Sequence, residues 1–434
     1  MKPEERNRSV MTITREIAHS EQSAYIEVPF EMPEHVEELV VSYSIESHGK
    51  QKAIIDLGLR DTMRVRGWSG GARKQFQVGL EKATPGYMSG ELTSGNWAVL
   101  HNAYKVPKEG CSVHVTIQFL FKTPRWLKGD LHTHSVNSDG TFTLEENAAI
   151  MEELGCDFIA MTDHNTVSQN LTYPRNTNVL MIPGMEFTTN FGHSNFLGVS
   201  DPILDFRVKG QEDVEAKIAE ARANGAKVVI NHPHCEFCPW EWDFNVDHDW
   251  VEVWNGPFAD RNARAMQWWH DQLVSGRRLV AVGGSDTHRP DPYVKHAMPC
   301  TWVYASEKTV DGILSAIDLG HVCMTYAPEG PFVQLKCGAY MVGDVVPVGE
   351  TSHMVSFQAE DLKIGDTVKL ISNRGLEKEI DVSADGVLAI QIDAQGTTFV
   401  RAEVWRLFQE VDMTLMAALT NPIYFGNTWI VPNN

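Results

Sequence analysis

The chain has 434 residues, 43% of them hydrophobic, which is enough to bury more than one core, because single cores stop growing well below this length. A formal net charge of -20, spread without long basic runs, argues against an electrostatic grip on nucleic acid or on an anionic membrane. No run of about 18 apolar residues occurs, and the opening MKPEERNRSVMTITRE lacks the apolar segment of a secretory signal, so the protein is expected to be cytoplasmic.

From Tyr25 to Lys122, short alternating runs (AYIEV, ELVVSYSI, AIIDLG, QFQVGL, SVHVTIQFLF) are broken by the turn clusters RGWSGGAR and ATPGYMSG, an all-β signature that predicts a sandwich. From Trp126 to Thr325 the character changes to apolar runs alternating with amphipathic stretches. Thr143 and Glu146 form a capping box ahead of Leu144, Ala148, Ile150, Met151 and Leu154, and Gly155 stands where a C′ glycine belongs. The strand CDFIAMT follows, and the alternation recurs in EDVEAKIAEARANG with AKVVIN, ARAMQWWHDQLVSG with RRLVAVG, and TVDGILSAIDLG with HVCMT. Helix-then-strand units predict a parallel sheet, and at this length a TIM-like barrel. Beyond Gly330 alternating strands return (HMVSFQAE, DTVKLISN, EKEIDVSA, VLAIQIDA, TFVRAEVWRLF). The expected class is α/β, in three domains: a β-rich domain over 1–125, the barrel over 126–328 and a smaller β domain over 329–434.

The residues following the strands of the middle region share one chemistry. After WLKGDL come His132, His134 and Asp139; after CDFIAMT, Asp163 and His164; after VLMIPGM, Glu186 and then His193; after AKVVIN, His232; after LVAVGG, Asp286 and His288. In a parallel barrel these strand ends lie on one face, so residues distant in sequence converge. The i, i+2 spacing of His132 and His134 puts both imidazoles on one side of an extended segment. Imidazole mixed with carboxylate suits Zn, Mn or Fe, and a carboxylate such as Glu186 can bridge two ions of a hydrolytic centre. Any one of these histidines, taken alone, is ordinarily a surface or capping residue; five strand ends with the same chemistry are not.

His193 depends on a loop, and His234 reads as a surface residue. The seven cysteines are odd in number and scattered, which implies free thiols. Cys235 and Cys238 have C-x-x-C spacing with no second pair to complete a structural zinc site; loop packing beside Pro239 and Trp240 is the plain reading, metal binding or redox chemistry the sharper one.

In order, HTHSVNSDGT, TDHN, GMEFTTNFGH, NHP, VEVWNG and GGSDTH resemble the PHP superfamily, named for polymerase and histidinol phosphatase domains, and in particular its carbaryl-hydrolase-like branch. IDLGL, RGWSGGAR and ATPGY also resemble that branch. The resemblance implies a distorted (β/α)7 barrel, flanked by β-sandwich-like domains, holding two or three divalent ions. His132, His134, Glu186 and Asp286 would hold the first ion, Glu186, His193 and His232 the second, and Asp139, His164 and His288 the third. Asp139 stands where some relatives have histidine, a harder ligand that weakens the third site or changes its metal preference.

The expected nucleophile is a hydroxide held between the first two ions, attacking phosphorus or an acyl carbon. Asp286 is the candidate to orient it or take its proton, and His288 or a bound water to protonate the leaving group, with Asp139 counted in the catalytic set. Arg261, Arg264 and Arg289 are candidate anion binders, since arginine matches phosphate oxygens bidentately. For Arg261 and Arg264, decoration of a helix start is the alternative. Asn255 is expected to contact substrate or to hold a carboxylate, and Trp240, Trp242 and Trp254 either shape an apolar rim or pack in the core. One of the glycine-rich loops of the first domain is a candidate cover for the barrel mouth. The leading function is a phosphoesterase acting on a small phosphomonoester or phosphodiester. An amidase or carbamate esterase is the runner-up, and a noncatalytic binding module the reading from another class. Neither nucleic acid nor membrane is an expected partner; oligomeric state is left open.

Overall fold

The computed structural model describes residues 7–174, 176–350, 353–426 and 429. The chain divides into two compact units, the first ending at Arg125 and the second beginning at Trp126. The whole is mixed α/β, with few helices and many strands.

In the first unit, one four-stranded sheet runs Arg8–Ile17, Cys111–Phe121, Val36–Ser47, Gln75–Gly79, and a second runs Tyr25–Met32, Gly95–Asn102, Leu57–Arg60, Val65–Gly70. All their pairings are antiparallel. Period-two patterning explains the arrangement: along Tyr25–Met32, Ile26, Val28, Phe30 and Met32 are buried while the residues between them face out. The two inner faces share one core, with Val28, Leu57 and Val99 from one sheet and Leu39, Phe76 and Val115 from the other. RGWSGGAR is only partly the turn its glycines suggest. Val65–Gly70 is a strand, and Trp68 meets Tyr25 edge-on at 6.3 Å. Gly95–Asn102 shows no alternation because Trp97, Ala98 and Val99 are all buried.

The second unit is built on nine strands, β1 (Arg125–Thr133), β2 (Phe158–Met161), β3 (Leu180–Thr189), β4 (Gly192–Leu197), β5 (Lys227–Ile230), β6 (Trp250–Asn255), β7 (Val280–Gly284), β8 (Cys300–Ala305) and β9 (Val322–Thr325). Four helices accompany them, α1 (Leu144–Glu153), α2 (Gln211–Ala223), α3 (Asp260–Val274) and α4 (Val310–Asp318). The sheet order is β7-β6-β5-β4-β3-β2-β1-β8-β9. The run from β1 to β7 returns on itself: Thr133 bridges Thr287 in parallel, His134 N–H donates to Thr287 O at 3.0 Å and Asp286 N–H to His132 O at 2.9 Å.

The expected all-parallel sheet is corrected at two places. β4 runs antiparallel to both β3 and β5, because only Asn190 and Phe191 separate it from β3 and so short a link makes a hairpin. β8 and β9 also pair antiparallel, although α4 lies between them. Beyond β9 the sheet continues through Met413–Thr420, Phe399–Phe408, Thr367–Ser372 and Gly375–Asp381, while Tyr340–Met341, Val333–Cys337, Met354–Leu362 and Gly386–Asp393 form a four-stranded sheet of their own. The Asn421 amide fastens this extension, donating to Ala281 O at 2.8 Å and Val322 O at 3.2 Å and accepting from Ala281 N–H at 2.9 Å.

α1 starts where its residues dictate. Glu146 N–H donates to Thr143 Oγ1 at 3.1 Å, Thr143 N–H donates to Glu146 Oε2 at 2.8 Å, and Gly155 takes the left-handed φ of 64° that ends the helix. Leu144, Ala148 and Met151 form its buried stripe. Among the described residues no helix is long and apolar enough to cross a membrane.

Candidate metal centre

The end of β1, the middle of β3, the start of β4 and the segments following β1, β2, β5 and β7 bring His132, His134, Asp139, His164, Glu186, His193, His232, Asp286 and His288 into one continuous cluster. Glu186 is its hub. Its Oε1 lies 3.3 Å from His132 Nε2, 3.2 Å from His193 Nδ1 and 3.4 Å from His232 Nε2; its Oε2 lies 2.8 Å from His164 Nδ1 and 3.5 Å from His134 Nε2. Asp286 Oδ1 closes one side, 3.1 Å from His134 Nε2 and 3.4 Å from His132 Nε2. Toward solvent, Asp139 Oδ1 lies 3.3 Å from His288 Nε2 and 3.6 Å from His164 Nε2. Ligand atoms of His134, Asp139, His164 and His288 form one group within 4.8 Å of one another, and those of His132, His134 and Asp286 another.

Local structure accounts for this convergence. The i, i+2 pair His132 and His134 is fully buried with ring centroids 5.3 Å apart. Asp163 and His164 alternate: the carboxylate turns away to accept from Ser135 N–H and the Ser135 and Ser138 hydroxyls, anchoring the loop that carries Asp139, while the imidazole turns into the cluster. Asp163 is thus an anchor and not a member of the cluster. Gly284 is required for close approach, since a Cβ there would sit 2.3 Å from His132 Cβ. His232 and Asp286 have φ of 26° and 55°, left-handed backbone that non-glycine residues rarely adopt.

The hydrogen bonds fix which ring nitrogens are lone-pair donors. His288 Nδ1 donates to the Asp286 carbonyl at 2.8 Å. His164 Nδ1 donates at 2.6 Å to Thr188 Oγ1, whose own proton goes to Glu186 O. Both Nε2 lone pairs therefore face each other at 3.5 Å beside Asp139. His132 Nδ1 donates to Glu252 Oε1 at 3.0 Å, which aims Nε2 at Glu186 and Asp286, and this buried Nε2 makes no hydrogen bond. Acceptors crowded against acceptors are stable only with a cation or protons among them, so the donor set fits divalent ions.

The electrostatics say the same. Burial pushes Glu186 upward, but the His132 charge and the adjacent His164 and His193 imidazoles prevail and hold its carboxyl well below the usual range. Asp286 is depressed in the same way, burial being outweighed by His132 and His134. For His232, burial opposes protonation, yet Glu186 and Asp286 lift it to about 9. Without metal, Glu186 and Asp286 stay ionised beside the protonated His132 and His232, so ions and protons compete for those nitrogens.

Motif reading did not single out Glu252 or Asn231, and it gave Cys238 only as half of a C-x-x-C pair. Glu252 Oε2 accepts from His232 N–H at 2.9 Å, and Asn231 Nδ2 donates to Glu186 Oε1 at 2.9 Å. A glutamate inside the apolar strand WVEVWN was the available signal. Cys238 Sγ lies 3.8 Å from His232 Nδ1 and 3.3 Å from Cys235 Sγ.

The remaining candidates sit farther out. Asn255 Nδ2 donates to Glu252 Oε2 at 3.1 Å and Asp286 Oδ2 at 3.4 Å, so it braces carboxylates. Arg261 donates to the carbonyls of Asn255 and Pro257, and Arg264 to that of His234. Arg289 stands beside Asp139, its Nη2 3.5 Å from the Asp139 carbonyl. His234 stacks on Phe244. Trp240 and Trp254 pack in the core and form no rim, and Trp242 donates to Thr189 Oγ1.

No family model matches the chain, and no curated protein matches it. Among solved structures it is similar to a two-domain Bacteroides vulgatus protein containing a predicted PHP-like metal-dependent phosphoesterase, at 20% identity and a TM-score of 0.40, over 68% of this chain and 95% of that one. It is also similar to an amidohydrolase from Chromobacterium violaceum with bound sulfate and no metal, at 16% identity and a TM-score of 0.29, over 38% of this chain and 89% of that one. Both likenesses are too slight to carry an argument about this chain, whose chemistry must be read from its own residues.

Proposed function

We propose that the chain is a metal-dependent hydrolase of the PHP kind, that the closed run β1 to β7 is its distorted barrel, and that it cleaves a small phosphomonoester or phosphodiester. One observation carries the reading: five imidazoles surround the buried Glu186 carboxylate, with Asp286 and Asp139 on either side. His132, His134, Glu186 and Asp286 would hold one ion, Glu186, His193 and His232 a second, and Asp139, His164, His288 and the adjacent His134 a third. Bound divalent ions supply Lewis-acid polarisation of an ester and an acidified water near neutral pH.

The protein's own groups orient that chemistry. Glu252 and Asn255 hold His132 and Asp286 in place, and Thr188 fixes His164. His288 directs its Nδ1 proton to the Asp286 carbonyl, which leaves Nε2 facing the cluster as a candidate ligand. Arg289 is the cation best placed to receive an anionic ester, being on the Asp139 side of the cluster. The acidic surface supports a small-molecule substrate over nucleic acid, and a cytoplasmic setting is part of the same proposal.

Elemental analysis of the purified protein, followed by turnover of bis-(p-nitrophenyl) phosphate, p-nitrophenyl phosphate and a naphthyl carbamate with added Mn or Zn, tests it. Retained metal with phosphate-ester turnover is the expected result. Metal with carbamate turnover alone would transfer the site to amide or carbamate esters. No retained or reconstitutable metal would overturn the hydrolase reading.

A further inference from the structure

We propose that Cys235 and Cys238 form a reversible disulfide switch acting on the ion position built from Glu186, His193 and His232. The proposal rests on the metal-centre reading above and adds a regulatory element to it.

His232 is held from both ends. Its Nε2 faces Glu186 Oε1 at 3.4 Å, and its Nδ1 faces Cys238 Sγ at 3.8 Å. Cys238 S–H in turn points at Cys235 Sγ, 3.3 Å away. The resulting relay, imidazole N–H to Cys238 and Cys238 S–H to Cys235, leaves the Nε2 lone pair for the cluster. Ligating histidines ordinarily donate their second nitrogen to an oxygen acceptor, as His132 does to Glu252, and that outer partner sets ring orientation and basicity. At His232 the acceptor is a sulfur, the one kind of outer partner whose chemistry oxidation changes.

The pair is also placed to react. Both thiols are free and partly exposed, on a loop whose tip, Phe237, is 93% exposed, whereas Cys111, Cys156, Cys300, Cys323 and Cys337 are buried. Ligand atoms of Cys238, His193 and His232 also lie within 4.8 Å of one another, so whatever moves this sulfur is felt at the ion position.

The oxidant is a small-molecule disulfide such as oxidised glutathione. One sulfur of the pair attacks it and expels one glutathione thiol; the second sulfur then attacks the mixed disulfide and expels the other. Two protein thiols are oxidised, one external disulfide is reduced to two thiols, and the two protons end on the glutathione. The new S–S bond, about 2.05 Å long, draws Cys238 away from His232 and replaces a thiol acceptor with a poorer one. Loss of an outer partner of this kind weakens metal binding by about 10- to 100-fold.

The test uses the full chain loaded with zinc, treated with glutathione disulfide, desalted, and divided between elemental analysis and peptide mapping. The wild type is expected to gain the Cys235–Cys238 disulfide and to lose zinc from one position, recovering it after a phosphine reductant and fresh zinc. Cys235→Ser keeps the Cys238 sulfur against His232 but cannot close the bond, so its zinc content is expected to ignore the treatment. A disulfide that forms with zinc unchanged, or no disulfide between these residues, overturns the switch and leaves the hydrolase reading standing. No zinc in the reduced wild type overturns both.

Discussion

Glu252 is the most informative residue to change, because it sits behind the cluster, holding the imidazole of His132 and the backbone N–H of His232. Its Oε1 accepts from His132 Nδ1 at 3.0 Å, and its Oε2 accepts from His232 N–H at 2.9 Å and Asn255 Nδ2 at 3.1 Å. Glu252→Gln preserves the shape. The amide can turn its oxygen to only one side. Facing His132, it sets an NH2 group against two other donors and strands the buried His232 N–H, a loss of about 1–3 kcal/mol in stability. Facing His232, it strands His132, and the loss of such an outer partner lowers metal affinity by about 10- to 100-fold, or about 1.4–2.8 kcal/mol. Zinc affinity by competition with a chromophoric chelator, alongside the denaturation midpoint of the metal-free protein, reads both terms. An E252Q protein with wild-type zinc affinity and wild-type stability would refute the claim that this carboxylate organises the cluster.

His134→Ala and Asp286→Ala each remove a group shared within the cluster and are expected to abolish turnover and lower bound metal; wild-type turnover in either variant would sink the site assignment. The buried imidazoles of His248 and His296 are pushed down to about 4 by burial. A folded-state value below the unfolded 6.5 means the unfolded chain binds more protons, so stability present above 6.5 is lost as pH falls toward 4. Each histidine then removes about 2 kcal/mol by pH 5. Urea midpoints of chelator-treated protein at pH 7 and pH 5 should show the fall, and His248→Gln should lessen it. Asn421→Ala strands the Ala281 and Val322 peptide groups and is expected to cost about 3 kcal/mol in urea denaturation. An unchanged midpoint would deny that amide its role in fastening the C-terminal strands.

Strand-end chemistry was legible because each ligand type follows an apolar run, and the capping box and Gly155 were legible because caps depend on local residues alone. What the sequence hid depended on partners far along the chain. The direction of β4 is set by a two-residue link that no hydrophobic pattern signals. The C-terminal strands read as a separate alternating set; one of them, Met413–Thr420, hydrogen-bonds onto β9, a pairing that alternation cannot specify. Asp163 and His164 are adjacent and of equal promise as letters, and only the pleat tells that one anchors a loop while the other enters the cluster. Asn255 was expected to contact substrate or hold a carboxylate and Arg261 to bind an anion or decorate a helix start; their hydrogen bonds show Asn255 on two carboxylates and Arg261 on backbone carbonyls.

Asp286 and His232 carry their side chains on left-handed backbone, a conformation costing about 1–2 kcal/mol for a residue with a Cβ. The fold thus tolerates unfavourable backbone at two positions whose side chains both belong to the histidine and carboxylate cluster. Asparagine or glycine at position 286 would relax the chain and discard a half-buried charge in one step. Backbone ease and the cluster are therefore opposed at these two positions, because the substitution that relaxes the chain also removes a candidate ligand atom.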